Sequence, residues 1–241
     1  MMTGPLDPTS TPRRLAAVLA IGFLSLTGCA AAPAPKPVMA DAAPAPRIDA
    51  GASHYESEIG GMNEDAVEDR FKAMARPIAR CFEHGTARVE QIGGSFTVSF
   101  RVDRRGKTRW AHMLASTIGD RGTESCLLDL VRNETWPKPL SGEGLAEKTV
   151  EIEPSSAPQA VDLKHVRQTV LMAKSRTAAC RRGLQGAFHV TAYLEPDGRV
   201  RTSGVATPDE KAEAVADCIT SVIQKLRFRA TGKLAKVTFQ I

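Results

Sequence analysis

GSFTVSFRVDRRG at residues 94–106 returns 92 positions later as GAFHVTAYLEPDG at residues 186–198. In each stretch apolar residues alternate with polar ones, Phe96, Val98, Phe100 and Val102 in the first, Phe188, Val190, Ala192 and Leu194 in the second. That period of two predicts a strand with one face buried and one wet. Each strand runs into a turn that ends on glycine, Gly106 or Gly198, and Pro196 presets φ for the second turn. The same offset of 92 relates Cys126 to Cys218 and Trp136 to Phe228. Self-similarity at a fixed period marks a duplicated structural unit.

Working outward, each copy yields the same order of elements. A helix is expected from about Glu64 to Phe82, with Val67, Phe71, Met74, Ile78 and Phe82 three or four apart and a kink or break at Pro77. Its counterpart runs from about Asp162 to Cys180, with Leu163, Val166, Val170, Leu171 and Met172 as the apolar side. After the repeated strand and turn comes a returning strand, about Thr108 to Ser116 and Val200 to Ala206. A second helix carries Cys126, Leu127, Leu130 and Val131, or Cys218, Ile219, Val222 and Ile223. Thr207-Pro208-Asp209-Glu210 reads as a capping box opening the latter, with proline at the first helical position. Last strands close the units at Thr149 to Glu153 and Lys236 to Ile241, with Gly142 and Gly144 read as loop. The expected fold class is α+β: two tandem αββαβ units, 61–155 and 160–241, each a small antiparallel sheet packed by helices.

The first 28 residues read as a leader. Arg13 and Arg14 precede a 12-residue apolar run, Leu15 to Leu26. That is too short to span a bilayer, which takes about 20 residues, and suits a signal-peptide core. The following Thr27-Gly28-Cys29 resembles the lipobox of bacterial lipoproteins, which implies cleavage before Cys29 and diacylation of its sulfur. An ordinary secretory signal with a chance cysteine is the alternative. The surroundings of Arg13-Arg14 fit twin-arginine export poorly and favour the general secretory route. Ala30, in place of the aspartate that retains lipoproteins in the inner membrane, implies delivery to the outer membrane, facing the periplasm. Residues 29–60 are then a lipidated N-terminus and an Ala/Pro-rich tether, extended at about 3.1 Å per residue.

Export places the other four cysteines in an oxidising compartment. Three connectivities are possible for Cys81, Cys126, Cys180 and Cys218. The duplication favours Cys81–Cys126 and Cys180–Cys218, each joining the two helices of its own unit. A four-cysteine zinc site is the rival, but it calls for close pairs such as C-x-x-C, and the nearest two here are 38 positions apart.

In this order, Cys81, Gly94, Phe96, Val98, Gly106, Cys126 and Trp136-Pro137, and again Cys180, Gly186, Phe188, Val190, Asp197-Gly198, Cys218 and Phe228, resemble the TonB-like C-terminal domain. The closest variant is the AgmX/PglI type of myxobacterial gliding-motility proteins. The resemblance covers about residues 64–153 and 162–241. It implies a periplasmic protein-binding module, not an enzyme, that recognises partners by adding a strand at a sheet edge.

No catalytic constellation competes with that reading. His54, His84, His112, His165 and His189 form no H-x-x-x-H or H-E-x-x-H, and neither a G-x-S-x-G elbow nor a phosphate loop appears. Cys81-x-x-His84 reads as a disulfide cysteine beside a helix-end histidine. No cofactor or metal is expected. Charge differs sharply between the units: 14 basic against 15 acidic residues over 64–153, but 14 against 7 over 161–241. Lys225, Arg227, Arg229, Lys233 and Lys236 crowd the basic end and are candidate contacts for anionic lipid or polysaccharide. A solvated basic face is the alternative, as it is for the Arg104-Arg105-x-Lys107-x-Arg109 tip. Nucleic acid is not expected as a partner after export. The expected function is a lipid-anchored envelope scaffold that binds a protein partner, the alternative a spacer gripping anionic envelope polymer or lipid.

Overall fold

The first strand and its turn set the frame for everything else. In a computed structural model, which describes residues 61–241, β1 (Gly94–Val102) pairs antiparallel with β2 (Thr108–Ser116) on one side and β3 (Gly144–Ile152) on the other. Phe96, Val98, Phe100 and Val102 are all buried, as their alternation requires. The second copy repeats the arrangement: β5 (His189–Leu194) lies between β6 (Val200–Ala206) and β7 (Ala235–Gln240), both antiparallel. A two-residue strand, β4 (Gln159–Ala160), adds in parallel to the outer edge of β7 and makes that sheet mixed. The class is α+β, with small sheets flanked by helices.

The likeness extends to individual hydrogen bonds. Gly106 N–H donates to Asp103 O (3.0 Å), and Gly198 N–H to Glu195 O (2.8 Å). Gly106 and Gly198 have φ of +85° and +86°, which glycine adopts without strain. A side chain on Gly106 would collide with the carbonyl of Trp136, and one on Gly198 with that of Phe228. The same aromatic residues donate back, Trp136 N–H to Gly106 O (2.9 Å) and Phe228 N–H to Gly198 O (2.8 Å). The repeated glycine and the repeated aromatic are therefore two halves of one contact. Trp136 then stacks on Phe100 with ring centroids 4.3 Å apart, and its Nε1–H donates to Val131 O and Thr108 Oγ1.

The helices differ from expectation at several points. The first breaks into α1 (Glu64–Ala73) and α2 (Ala75–Thr86), three residues before Pro77 rather than at it. Proline without an N–H is tolerated in the first turn of a helix, so the chain restarts just ahead of it. In the second copy α4 (Leu163–Arg176) and α5 (Ala178–Arg181) are split at Thr177, with no proline nearby. Thr177 Oγ1 donates to Ala173 O at 2.7 Å, back-bonding that competes with the regular ladder. The buried side of α4 is Val166, Thr169 and Ala173, while Leu163, Leu171 and Met172 are exposed.

Helix α3 (Arg121–Asn133) is capped by the side chain of Asp120, which accepts from Thr123 N–H at 2.9 Å. Its counterpart α6 (Ala216–Ile223) does not open on a capping box: after Thr207 the chain turns, and Asp209 Oδ1 accepts from Ala212 N–H (2.8 Å) to start a 3-10 turn, Ala212–Val215. β3 begins at Gly144, five residues before the expected Thr149, because β1 offers it a partner at every position from Gly94 to Val102; pairing overrides the weak preference of Gly144 to Lys148 for extended structure.

Cys81–Cys126 joins α2 to α3 and Cys180–Cys218 joins α5 to α6, with Cα atoms 5.8 and 5.7 Å apart. The sequence separations are 45 and 38, and closing loops of this length stabilises by about 4 kcal/mol each in the chain-entropy model. Non-reducing peptide mapping should recover these two pairs and no crossed ones. Cys81→Ser/Cys126→Ser should lower unfolding stability by about 2–4 kcal/mol in a denaturant titration.

Candidate functional site: a polar joint and an open sheet edge

β5 departs most from its predicted character. Its second face was expected to be wet, yet Thr191 and Tyr193 are fully buried and only His189 is exposed. The cause is the first unit, which packs onto this face. Tyr193 enters the first unit's hydrophobic cluster and its hydroxyl donates to Gln91 O at 3.1 Å. Thr191 Oγ1 donates to Ser116 O at 3.2 Å. A Cβ on Gly119 would come within 2.9 Å of Thr191 and 3.2 Å of Tyr193, so the two halves touch where a side chain does not fit.

At the centre of this joint the free edges of β2 and β6 approach each other, and their backbone groups need partners. Carboxylates supply them reciprocally. Glu124, from the first turn of α3, accepts from Val205 N–H of β6 at 2.9 Å and from Ser116 Oγ–H at 2.6 Å. Glu213, from the second half, accepts from Met113 N–H of β2 at 3.2 Å and from Thr207 Oγ–H at 3.2 Å. Met113 and Val205 are 92 positions apart, the repeat offset. Thr207 N–H then donates to Met113 O at 2.7 Å, a direct backbone bond between the halves. Gly204 makes room for Glu124, whose carboxylate lies where a Cβ would be.

Charge is matched around these two acids. Arg121 bonds Glu213 and Asp217, both at 2.7 Å. Asp120 accepts from Arg88 Nε at 2.9 Å and, across the joint, from Thr202 Oγ1 at 2.7 Å. Burial pushes the Asp120 carboxyl up, but bonds from Arg88, Thr202 and Thr123 outweigh it and hold it below the usual range. Glu124 is different: complete burial pushes it up to about 7, and the bonds from Ser116 and Val205 offset this only in part. His112 also lies buried here, with neither ring nitrogen hydrogen-bonded among the described residues, and burial pushes its pKa down despite Glu213, Glu210 and Asp209 nearby.

The basic residues singled out in the sequence are not one group. Lys236 belongs to the joint: its ammonium donates to Gly93 O at 2.8 Å and lies 5.0 Å from the Tyr193 ring centroid. Burial pushes its pKa down to about 8. Arg227 is exposed and bonds Asp197 of the neighbouring turn at 3.4 Å. Lys225, Arg229 and Lys233 are exposed. Cys29 and the rest of residues 1–60 lie outside the described residues. Cys81, Cys126, Cys180 and Cys218 are taken up in the two disulfides.

The second feature is an edge. With β2 and β6 turned into the joint and β4 laid along the start of β7, β3 keeps an outer edge of nine residues that no strand covers among the described residues. Its outward face carries Leu145, Glu147, Thr149 and Glu151. On the core face, Lys148 points inward and pairs with Glu68 of α1. Inward charge on an edge strand discourages indiscriminate pairing.

Sequence reasoning missed Asp120, Glu124, Arg121, Glu213, Thr191 and Tyr193. Two signals were present: Gly204 inside a strand, which marks close approach, and the β-branched and aromatic residues Thr191 and Tyr193 on the supposedly wet face.

Because the folded pKa of Glu124 lies above its unfolded value, its contribution is complete below about pH 4.5 and is lost as pH rises through about 7. Between pH 5 and 8 the wild type should therefore lose up to about 3 kcal/mol relative to Glu124→Gln, measured by denaturant unfolding at each pH. His112 has the opposite trend, a contribution lost as pH falls below its ordinary value of 6.5, and it cancels in that difference. Comparison with protein-family models, curated proteins and solved structures finds no match to this chain, so its function has to be read from the joint and the edge themselves.

Proposed function

We propose that the chain is a non-enzymatic, lipid-anchored envelope protein that scaffolds an envelope, motility or transport assembly by adding a partner's extended segment to the edge of β3. The carrying observation is the unequal fate of the sheet edges: β2 and β6 are used in the joint, β7 is partly capped by β4, and β3 has no further neighbour among the described residues. Strand addition draws affinity from main-chain hydrogen bonds and specificity from alternate side chains. Leu145, Glu147, Thr149 and Glu151 would supply the latter on the outward face. The resemblance to TonB-like domains leads to the same mode of binding.

The buried ionisable groups support a structural role. Asp120, Glu124, Glu213, Arg121 and Lys236 are each committed to bonds across the joint or beside it. The alternative, anionic polymer or lipid gripped by the basic end of the second unit, loses weight at Lys236, which is drawn inward, and at Arg227, which shares its charge with Asp197.

Photo-crosslinkers at Thr149 and Glu151, introduced in the native host envelope, should capture the same protein. Moving the probe by two residues should move the adduct by two residues along one peptide of the partner. Scattered adducts, or capture from β7 positions such as Thr238 instead, would rule out addition at β3.

A further inference from the structure

The first helices of the two copies differ in what they bury and what they expose. In the first, Val67, Phe71, Met74, Ile78 and Phe82 are all buried. In the second, α4 buries only Val166, Thr169 and Ala173. Of the four large apolar side chains exposed among the described residues, three are on α4: Leu163, Leu171 and Met172, at 47%, 54% and 42%. Charge diverges in parallel. The first turns of α1 carry Glu64, Asp65, Glu68 and Asp69, whereas residues 163–194 contain no Asp or Glu at all. Over α4 and α5 stand Lys164, Arg167, Lys174, Arg176, Arg181 and Arg182, and none forms an ion pair among the described residues.

At 3.6 residues per turn, Leu163, Arg167, Leu171 and Lys174 fall on one exposed stripe, with Lys164 at its margin. Cations alternating with exposed leucines suit a surface that is anionic outside and apolar beneath. Long basic side chains reach headgroup phosphates while leucines enter the acyl boundary. A soluble polyanion would use the charges and leave the leucines in water.

We infer that the exposed face of α4–α5 is a membrane-contacting surface that binds an anionic phospholipid leaflet. The surface is separate from β3, so a partner strand and a bilayer can be engaged together. Arg229 adjoins the start of α4, lining one cavity with Asp162, His165 and Val166, so it is no control for this surface. If Cys29 carries acyl chains, this face gives the anchored body a preferred orientation on the leaflet, though the contact does not depend on the anchor.

The test is vesicle co-sedimentation of the full chain carrying Cys29→Ser, which removes any acyl contribution. Binding to phosphatidylglycerol–phosphatidylcholine vesicles should be salt-sensitive and should exceed binding to pure phosphatidylcholine. Arg167→Glu/Lys174→Glu should weaken it by about tenfold or more, and Leu171→Ser should weaken it further at unchanged melting temperature. Lys225→Glu/Lys233→Glu should bind like the parent. Equal binding to neutral vesicles, or parental affinity in the α4 double variant, would overturn the assignment. So would loss of binding in the Lys225/Lys233 variant alone. An unchanged Leu171→Ser would replace the bilayer with a soluble anionic polymer, which also defeats it.

Discussion

The described fold depends on the need to satisfy backbone groups where two sheet edges are buried against each other. An unpaired N–H away from water costs about 1–3 kcal/mol, and β2 and β6 form no ladder with each other. Glu124 and Glu213 solve the problem by reaching across, each to the strand of the opposite half. Several other features follow from that exchange. Gly204 leaves space for one carboxylate, Arg121 neutralises the other, and Asp120 caps α3 so that its first turn presents Glu124 at the joint.

Within each half, much was legible. Strands came from alternation, turns from glycine at their ends, and the cysteine pairs from the duplication. Trp136 and Phe228 were visible as a repeated aromatic, although only the structure ties them to the repeated glycines. What stayed hidden lies between the halves. Tyr193 occupies a position that alternation assigns to water, and its aromatic ring, with Thr191 beside it, hints at burial without saying what covers the face. Glu124 looks like any acid in the first turn of a helix, where negative charge is favoured. Its burial comes from contacts some 80 residues away in the chain.

The helix discrepancies share that cause. Leu171 and Met172 fit an apolar face by spacing, but the second core is already filled by Val166, Ala173 and the residues of β5–β7. The helix turns its smaller residues inward and leaves the larger ones outside. A periodicity argument counts apolar positions without knowing how much room lies beneath them. The capping box at Thr207 failed for a related reason: its hydroxyl and its N–H are both used in the joint, the first on Glu213 and the second on Met113.

β4 is only two residues long, yet it makes the two sheets unequal at their outer edges. Two copies of one unit would ordinarily present two equivalent sheet edges. Here the connector between the halves is itself laid along β7, through Gln159 N–H to Leu234 O and Val161 N–H to Lys236 O. The second half thus carries its own occupant at that end of the edge. The two sheets, alike in strand order around β1 and β5, thus end with different edges: β3 without a neighbouring strand among the described residues, β7 with one along its first two residues.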